Sequence, residues 1–143
     1  MNDLQKVLFK LFKTHRRTVK YELRKIGLSE GQPKVLNFLV KNNGCIQREI
    51  VEECKINPAT VTSILSTMEK ENLIYRSQNS ENRRILNVFI TDSGIVAQKK
   101  LSKIFNYLDE LCFHNFSEEE KIATIKLLNK IQNNLEGQEK DSD

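Results

Sequence analysis

The chain has 143 residues, is 38% hydrophobic and 29% charged, and carries a net charge of +4. This is the size of one domain with enough apolar residues for a core, which excludes a compositionally disordered chain. No stretch approaches the run of roughly 20 apolar residues that spans a bilayer, so no membrane partner is expected.

Five Gly and two Pro predict few turns and much helix. The N-terminal MNDLQKVLFKLFKTHRR is amphipathic and shows no small-residue cleavage site, so the expected location is the cytoplasm. Charge is unevenly spread: residues 1–26 carry +6, residues 27–91 carry +1 and residues 92–143 carry −3. A basic front half fits a polyanionic partner, whereas an acidic tail mainly solubilises. Cys45, Cys54 and Cys112 form no close pair, which predicts reduced, partly buried thiols and no disulfide framework.

Residues 4–26 repeat Leu4, Val7, Leu8, Leu11, Phe12, Val19, Leu23 and Ile26 with helical period, and Gly27 ends that helix. SEGQ at 29–32 predicts a capping box in which Ser29 caps and Gln32 reaches back, opening a helix that buries Val35, Leu36, Leu39 and Val40. Cys45–Ile46 fits a short strand, and 47–54 a brief helix with Ile50 and Val51 inward. Asn57 is a good N-cap and Pro58 suits the first helical position. From there Val61, Ile64, Leu65 and Met68 form one stripe, with Leu73 plugging the same core.

The period then changes. LIYRS and ILNVFI, separated by a polar basic stretch, predict a β-hairpin with Leu86, Val88 and Ile90 on one face. TDSG restarts a helix whose less polar side is Val96, Ala97, Lys100, Leu101, Ile104, Leu108, Leu111 and Cys112. SEEE at 117–120 is a second capping box, followed by the stripe Ile122, Ile125, Leu128, Ile131 and Leu135. Gly137 is expected to end that helix, leaving 137–143 as a flexible tail.

Helix, tight turn, helix and hairpin define a winged helix-turn-helix, a mainly α fold with a small β-hairpin wing. Opposite the apolar stripe of the helix from Pro58 stand Ala59, Ser63, Ser66 and Lys70, flanked by Thr60, Thr62 and Thr67. Five hydroxyls within 60–67 are poor helix formers, so their use on an outer face calls for a reason. A surface reading DNA bases supplies one, since short hydroxyls donate and accept, threonine methyls can touch thymine methyls, and glutamates would repel phosphates. A plain solvated face would look similar. The paired Arg83 and Arg84 at the wing tip, beside Asn82, turn the balance, because arginine suits phosphates and narrow minor grooves. Arg48, Lys55, Lys70 and Arg76 are the expected phosphate contacts.

GLSEGQPKVLNFL, IQREIVEECKINPATVTSILSTMEKENLIYR and RRILNVFITDSG, in this order and with helices at both ends, resemble the MarR family of winged-helix regulators from about residue 5 to 135. The resemblance implies a homodimer: residues 28–91 form the DNA-binding core, while 1–27 and 92–136 supply interlocking dimerisation helices. It also implies a double-stranded, palindromic operator. The stripes at 4–26 and 96–135 agree, since they hold more apolar surface than a three-helix module can cover. The chain departs from the family at Asn82, where aspartate is usual, which predicts a looser wing, and at Ser63, where a basic residue is common.

The resemblance further implies a small phenolic or lipophilic effector that releases DNA. The pocket candidates are Phe9, Phe12, His15, Phe38 and Tyr107, for each of which core packing is the simpler expectation. No cysteine lies in 1–26, where some relatives sense peroxides. His15, Cys112 and His114 are too sparse for a metal site, and no cofactor is expected. No phosphate loop, His–Glu metal motif or nucleophile motif suggests an enzyme. The sequence therefore reads as a dimeric DNA-binding regulator, a repressor by expectation. The alternative is a winged-helix protein-interaction module that has lost DNA binding.

Overall fold

The computed structural model describes residues 2–141, with side chains through residue 139. In chain order the elements are α1 (Asp3–Lys25), α2 (Gln32–Lys41), β1 (Cys45–Ile46), α3 (Gln47–Cys54), α4 (Pro58–Lys70), β2 (Ile74–Gln78), β3 (Leu86–Ile90), α5 (Asp92–Cys112) and α6 (Glu118–Asp141). The chain forms two compact units, one through Asn106 and one from Tyr107. The fold is mostly helical with a small antiparallel sheet in the order β1-β3-β2.

Helix ends follow local chemistry. α1 stops in a Schellman turn: Leu28 donates to the Leu23 carbonyl at 3.0 Å, Gly27 donates to Arg24 at 3.1 Å, and Gly27 takes φ +74°. Leu23 and Leu28 are buried together under that turn. α4 ends the same way. Leu73 donates to Met68 at 2.9 Å and Asn72 to Glu69 at 3.1 Å, with Asn72 at φ 60°. Asparagine substitutes for glycine because it tolerates the left-handed region best among the bulkier residues. Leu73 thereby enters the core beside Met68, as the sequence predicts.

Two expected ends lie elsewhere. Ser29 does not cap α2. That helix starts at Gln32 from a Gly31 N-cap of φ +88° that makes no side-chain cap bond. Only half of the box exists: Gln32 Oε1 accepts from the Ser29 N–H at 3.1 Å. Gln32 is buried, and its Nε2 also donates to Glu71 at 3.3 Å, so one amide serves both the Ser29 backbone and a tertiary bond. Nor does Gly137 end α6, which continues to Asp141; residues 142–143 of the expected tail lie outside the described residues. One glycine costs a helix only about 1 kcal/mol against alanine, and Gln138 and Glu139 are good helix formers. The SEEE box is complete, with Ser117 and Glu120 exchanging backbone-to-side-chain bonds at 3.0 and 3.1 Å.

The first unit packs around Leu23, Leu36, Leu39, Ile50, Val61, Leu65, Met68, Ile74, Val88 and Leu101. Val88 and Ile90 face this core from β3. Tyr75 and Phe89, paired in register, stack at 5.0 Å on the opposite face of the sheet. Asn43 Oδ1 accepts from Ile90, and Gly44 donates to Val88, so the KNNG turn is fastened to β3.

α5 begins against the end of α4. Thr91 Oγ1 accepts from Gly94 at 3.0 Å and donates to the Asn72 carbonyl at 2.7 Å. A β-carbon on Gly94 would collide with the Leu73 carbonyl and the Ile90 side chain. Backbone cannot yield as a side chain can, so Gly94→Ala is expected to cost about 1–3 kcal/mol, the usual range for overpacking. Urea unfolding of the variant and the native chain measures this; equal midpoints would contradict the tight approach.

Candidate nucleic-acid interface

α4 is set by its two ends. The Asn57 side chain accepts from the Ala59 N–H at 2.9 Å, Pro58 takes the first position, and Lys55, at φ 51°, makes the sharp turn from α3. Val61, Leu65 and Met68 are buried, so Ala59, Thr62 and Ser63 must face outward, and all three are exposed. Thr67 is exposed as well, and Ser66 is half-buried. Thr60 stands apart from this row and lines a crevice on the side of Ile64.

The hydroxyls do not all face out as donors. Thr62 Oγ1 donates to the Pro58 carbonyl at 3.0 Å and accepts from Gln47 Nε2 at 2.9 Å. Thr67 Oγ1 donates to the Ser63 carbonyl at 3.1 Å. Ser63 Oγ has no partner among the described residues. The Thr60 and Ser66 hydroxyls also have no partner among the described residues, so the face presents the two engaged threonines beside the unengaged hydroxyls of Ser63 and the half-buried Ser66. Helical period alone does not distinguish these hydroxyls, because their partners are backbone carbonyls and a residue of α3.

The wing tip is ordered by asparagines. Asn79 Oδ1 accepts from the N–H groups of Glu81 and Asn82 at 2.9 and 3.1 Å, and Asn82 Oδ1 accepts from Arg84 N–H at 3.1 Å. Ile85 closes back on the Asn82 carbonyl. Asn82 therefore fixes the tip through the backbone, so a looser wing does not follow from its lost carboxylate. Arg83 and Arg84 are exposed and carry no ion pair among the described residues.

Arg84 and Arg48 line one open groove of about 480 Å³ with Gln47, Pro58, Ile46 and Leu86. The wing, α3 and the start of α4 thus meet there, and the sequence could not signal that Gln47 belongs to the group. Arg48 also stands 3.7 Å from Glu52, with both side chains exposed. Lys55 and Lys70 are exposed.

Arg76 belongs elsewhere. Its Nε and Nη2 donate to the two Glu69 carboxylate oxygens at 3.0 and 3.4 Å, and its side chain is only 15% exposed. Its fork ties β2 to α4, which removes it from the phosphate set. The Arg76 hydrogen bond also holds the Glu69 carboxyl below its usual range. The excess charge of residues 1–26 lies on α1, where Lys6, Lys10, Lys13, Arg17, Lys20 and Arg24 are all exposed at helical spacing.

Of the five pocket candidates, Phe12 and His15 line the crevice beside Thr60, a space of about 700 Å³. Phe9 is exposed and outside it, Phe38 packs against the core, and Tyr107 belongs to the unit that starts there. Phe105, Lys34, Ile56 and Ile64 complete the walls with Val19 and Leu23 of α1. Phe105 sits four residues after Leu101 and three before Leu108, so helical spacing on the buried side of α5 is the signal that marks it. At the crevice, Arg16 grips Glu30 through two bonds of 2.8 and 3.0 Å, which keeps the Glu30 carboxyl low. No group of three potential metal ligands occurs among the described residues, and no helix among them is long and apolar enough to cross a membrane.

An exposed helix at the end of a helix-turn-helix, followed by an arginine-tipped hairpin, defines a winged-helix protein. The sequence model of the MarR family matches residues 28–86, the winged-helix part of the chain. Relatives of the chain are named as transcriptional regulators. An uncharacterized HTH-type transcriptional regulator of Bacillus subtilis, YybA, is 24% identical over 136 residues, 95% of this chain and 91% of the relative. The HTH-type transcriptional repressor MdtR of the same organism is 32% identical over 94 residues, covering 66% of this chain and 61% of MdtR. In structure, the PcaV transcriptional regulator of Streptomyces coelicolor superposes with a TM-score of 0.86 at 18% identity, covering 95% of this chain and 99% of PcaV. PcaV has also been solved in complex with its natural ligand; that structure gives a TM-score of 0.76 at 17% identity, covering 93% of this chain and 96% of that one.

The three cysteines separate by environment. Cys45 and Cys54 are buried, and Cys112 is exposed. Burial pushes the Cys45 thiol up to about 11 and raises that of Cys54. A thiol-specific reagent at neutral pH should therefore modify one thiol rapidly in the folded protein and all three after denaturation. Rapid reaction of two or three thiols in the native state would contradict this arrangement.

Proposed function

We propose that the chain is a homodimeric transcriptional regulator that binds a palindromic site in duplex DNA. Each subunit places α4 in the major groove and the tip at Asn82, Arg83 and Arg84 against the neighbouring backbone and minor groove. The observation that carries this reading is electrostatic. α4 holds a single carboxylate, Glu69, and Arg76 neutralises it, while Arg83, Arg84, Lys55 and Lys70 around the helix carry no ion pair among the described residues. A helix whose one carboxylate is paired, rimmed with unpaired cations, suits the phosphates of a duplex.

Dimerisation is supported by apolar rows without cover. Leu4, Val7 and Leu11 on α1 and Ile122, Ile125, Leu128 and Leu135 on α6 are all exposed. Contiguous apolar patches of that extent are rare on monomers. The terminal helices of 1–27 and 92–136 are the proposed interface, and the palindrome follows from two-fold symmetry. The crevice supports control by a small lipophilic or phenolic effector, as does the ligand complex of PcaV. Because Thr60 and Ile64 of α4 are among its walls, an occupant would bear directly on the reading helix. Repression is the proposed outcome, in line with the name of MdtR.

Titration of duplex DNA at several salt concentrations tests the reading. Affinity should fall steeply, by about 0.9 log units per log unit of salt for each phosphate contacted. The double variant Arg83→Ala with Arg84→Ala should bind roughly tenfold or more weakly, with a slope shallower by about two. Sedimentation should show two chains per particle. Absence of binding at low salt would favour the protein-interaction alternative, and an unchanged double variant would remove the wing from the site.

A further inference from the structure

The outer face of α4 combines two features that together bear on sequence preference. Thr62 is exposed, yet its hydroxyl is engaged within the chain, its proton donated to the Pro58 carbonyl and its oxygen accepting from Gln47. Thr67 is exposed, and its hydroxyl donates to Ser63. A hydroxyl turned back onto its helix fixes χ1, because a β-branched side chain has few wells. What each threonine then presents outward is its γ-methyl. Ala59 adds a third methyl at the start of the same face. Ser63 and the half-buried Ser66, with unengaged hydroxyls, are the polar exceptions.

We infer that this helix reads thymine chiefly through its 5-methyl group, with Thr62 as the specificity-determining residue and Gln47 as its positioning residue. The inference rests on the proposed DNA binding and deepens it. In the major groove the thymine methyl is the one apolar mark on a base edge, and alanine and the threonine methyl are suitable contacts for it. Gln47 matters because it occupies the Thr62 oxygen. Without that bond the hydroxyl could swing outward and offer itself to adenine N7 or thymine O4 instead. The geometry therefore favours apolar contact over hydrogen-bond readout at the base pair facing Thr62.

The test begins with duplexes selected by the native protein from a random pool. In a selected duplex each thymidine is replaced in turn by deoxyuridine, which removes only the methyl. At one or two positions in each half-site the native protein should bind about three- to tenfold more weakly. Thr62→Ser keeps the hydroxyl and loses the methyl, so at one of those positions its thymidine-to-deoxyuridine ratio should fall to about one. Thr62→Val keeps two methyls and should retain the discrimination, which separates methyl contact from any loss of folding. Unchanged affinity for every deoxyuridine duplex would overturn the inference and leave DNA binding intact. So would a Thr62→Ser protein that still discriminates. Failure to select any duplex would overturn the DNA-binding reading along with it.

Discussion

The reading surface depends on one junction, the left-handed turn at residues 71–73. There the Asn72 and Leu73 amides close on carbonyls of α4, while the Asn72 and Leu73 carbonyls accept from Thr91 at the start of α5. Gly94 lies against the same Leu73 carbonyl, and Glu71 accepts from the buried Gln32 at the start of α2. Four elements thus share three residues: the end of α4, the first strand of the wing, and the first turns of α2 and α5. This fixes the angle at which the wing leaves the helix. Glu69 and Arg76 reinforce it one turn away by bonding the last turn of α4 to the middle of β2.

Around that junction the chain separates two kinds of charge. Two carboxylates are engaged by arginines, Glu69 by Arg76 and Glu30 by Arg16, and each is held low by its guanidinium partner. Cations at the wing tip have no such partner among the described residues. Exposed ion pairs contribute little to stability, so their main effect here is to set the sign of the surface that remains. The row of cations along α1 lies outside the helix-turn-helix; in the proposed regulator it would act at longer range, raising the local concentration of a polyanion rather than reading it.

Much of the fold was legible because its punctuation is local. Asn57–Pro58 marks the start of α4 by capping chemistry alone, and the change from helical to alternating period marks the wing. Gly27 ends α1 for the same local reason. What was not legible depends on partners far along the chain. Ser29 has every local feature of a cap, yet α2 starts from Gly31, and the Gln32 amide that reaches back to Ser29 also bonds Glu71, thirty-nine positions away. Arg76 reads as a free cation until the turn at 71–73 brings Glu69 beside it. For the candidate site, the row of small residues on α4 followed from the helical period. Which hydroxyls are engaged did not, because that depends on the Pro58 carbonyl accepting from Thr62 while Gln47, from another helix, donates to it.

The central claim is that the outer face of α4 and the tip of the wing meet a duplex together. Backbone amide chemical shifts, followed by nuclear magnetic resonance as a selected duplex is added, test it most directly. The account predicts that the largest changes fall on residues 59–67 and 82–84, with the amides of the buried core strand β3 little affected. Changes confined to other surfaces, with residues 59–67 unmoved at saturation, would contradict it.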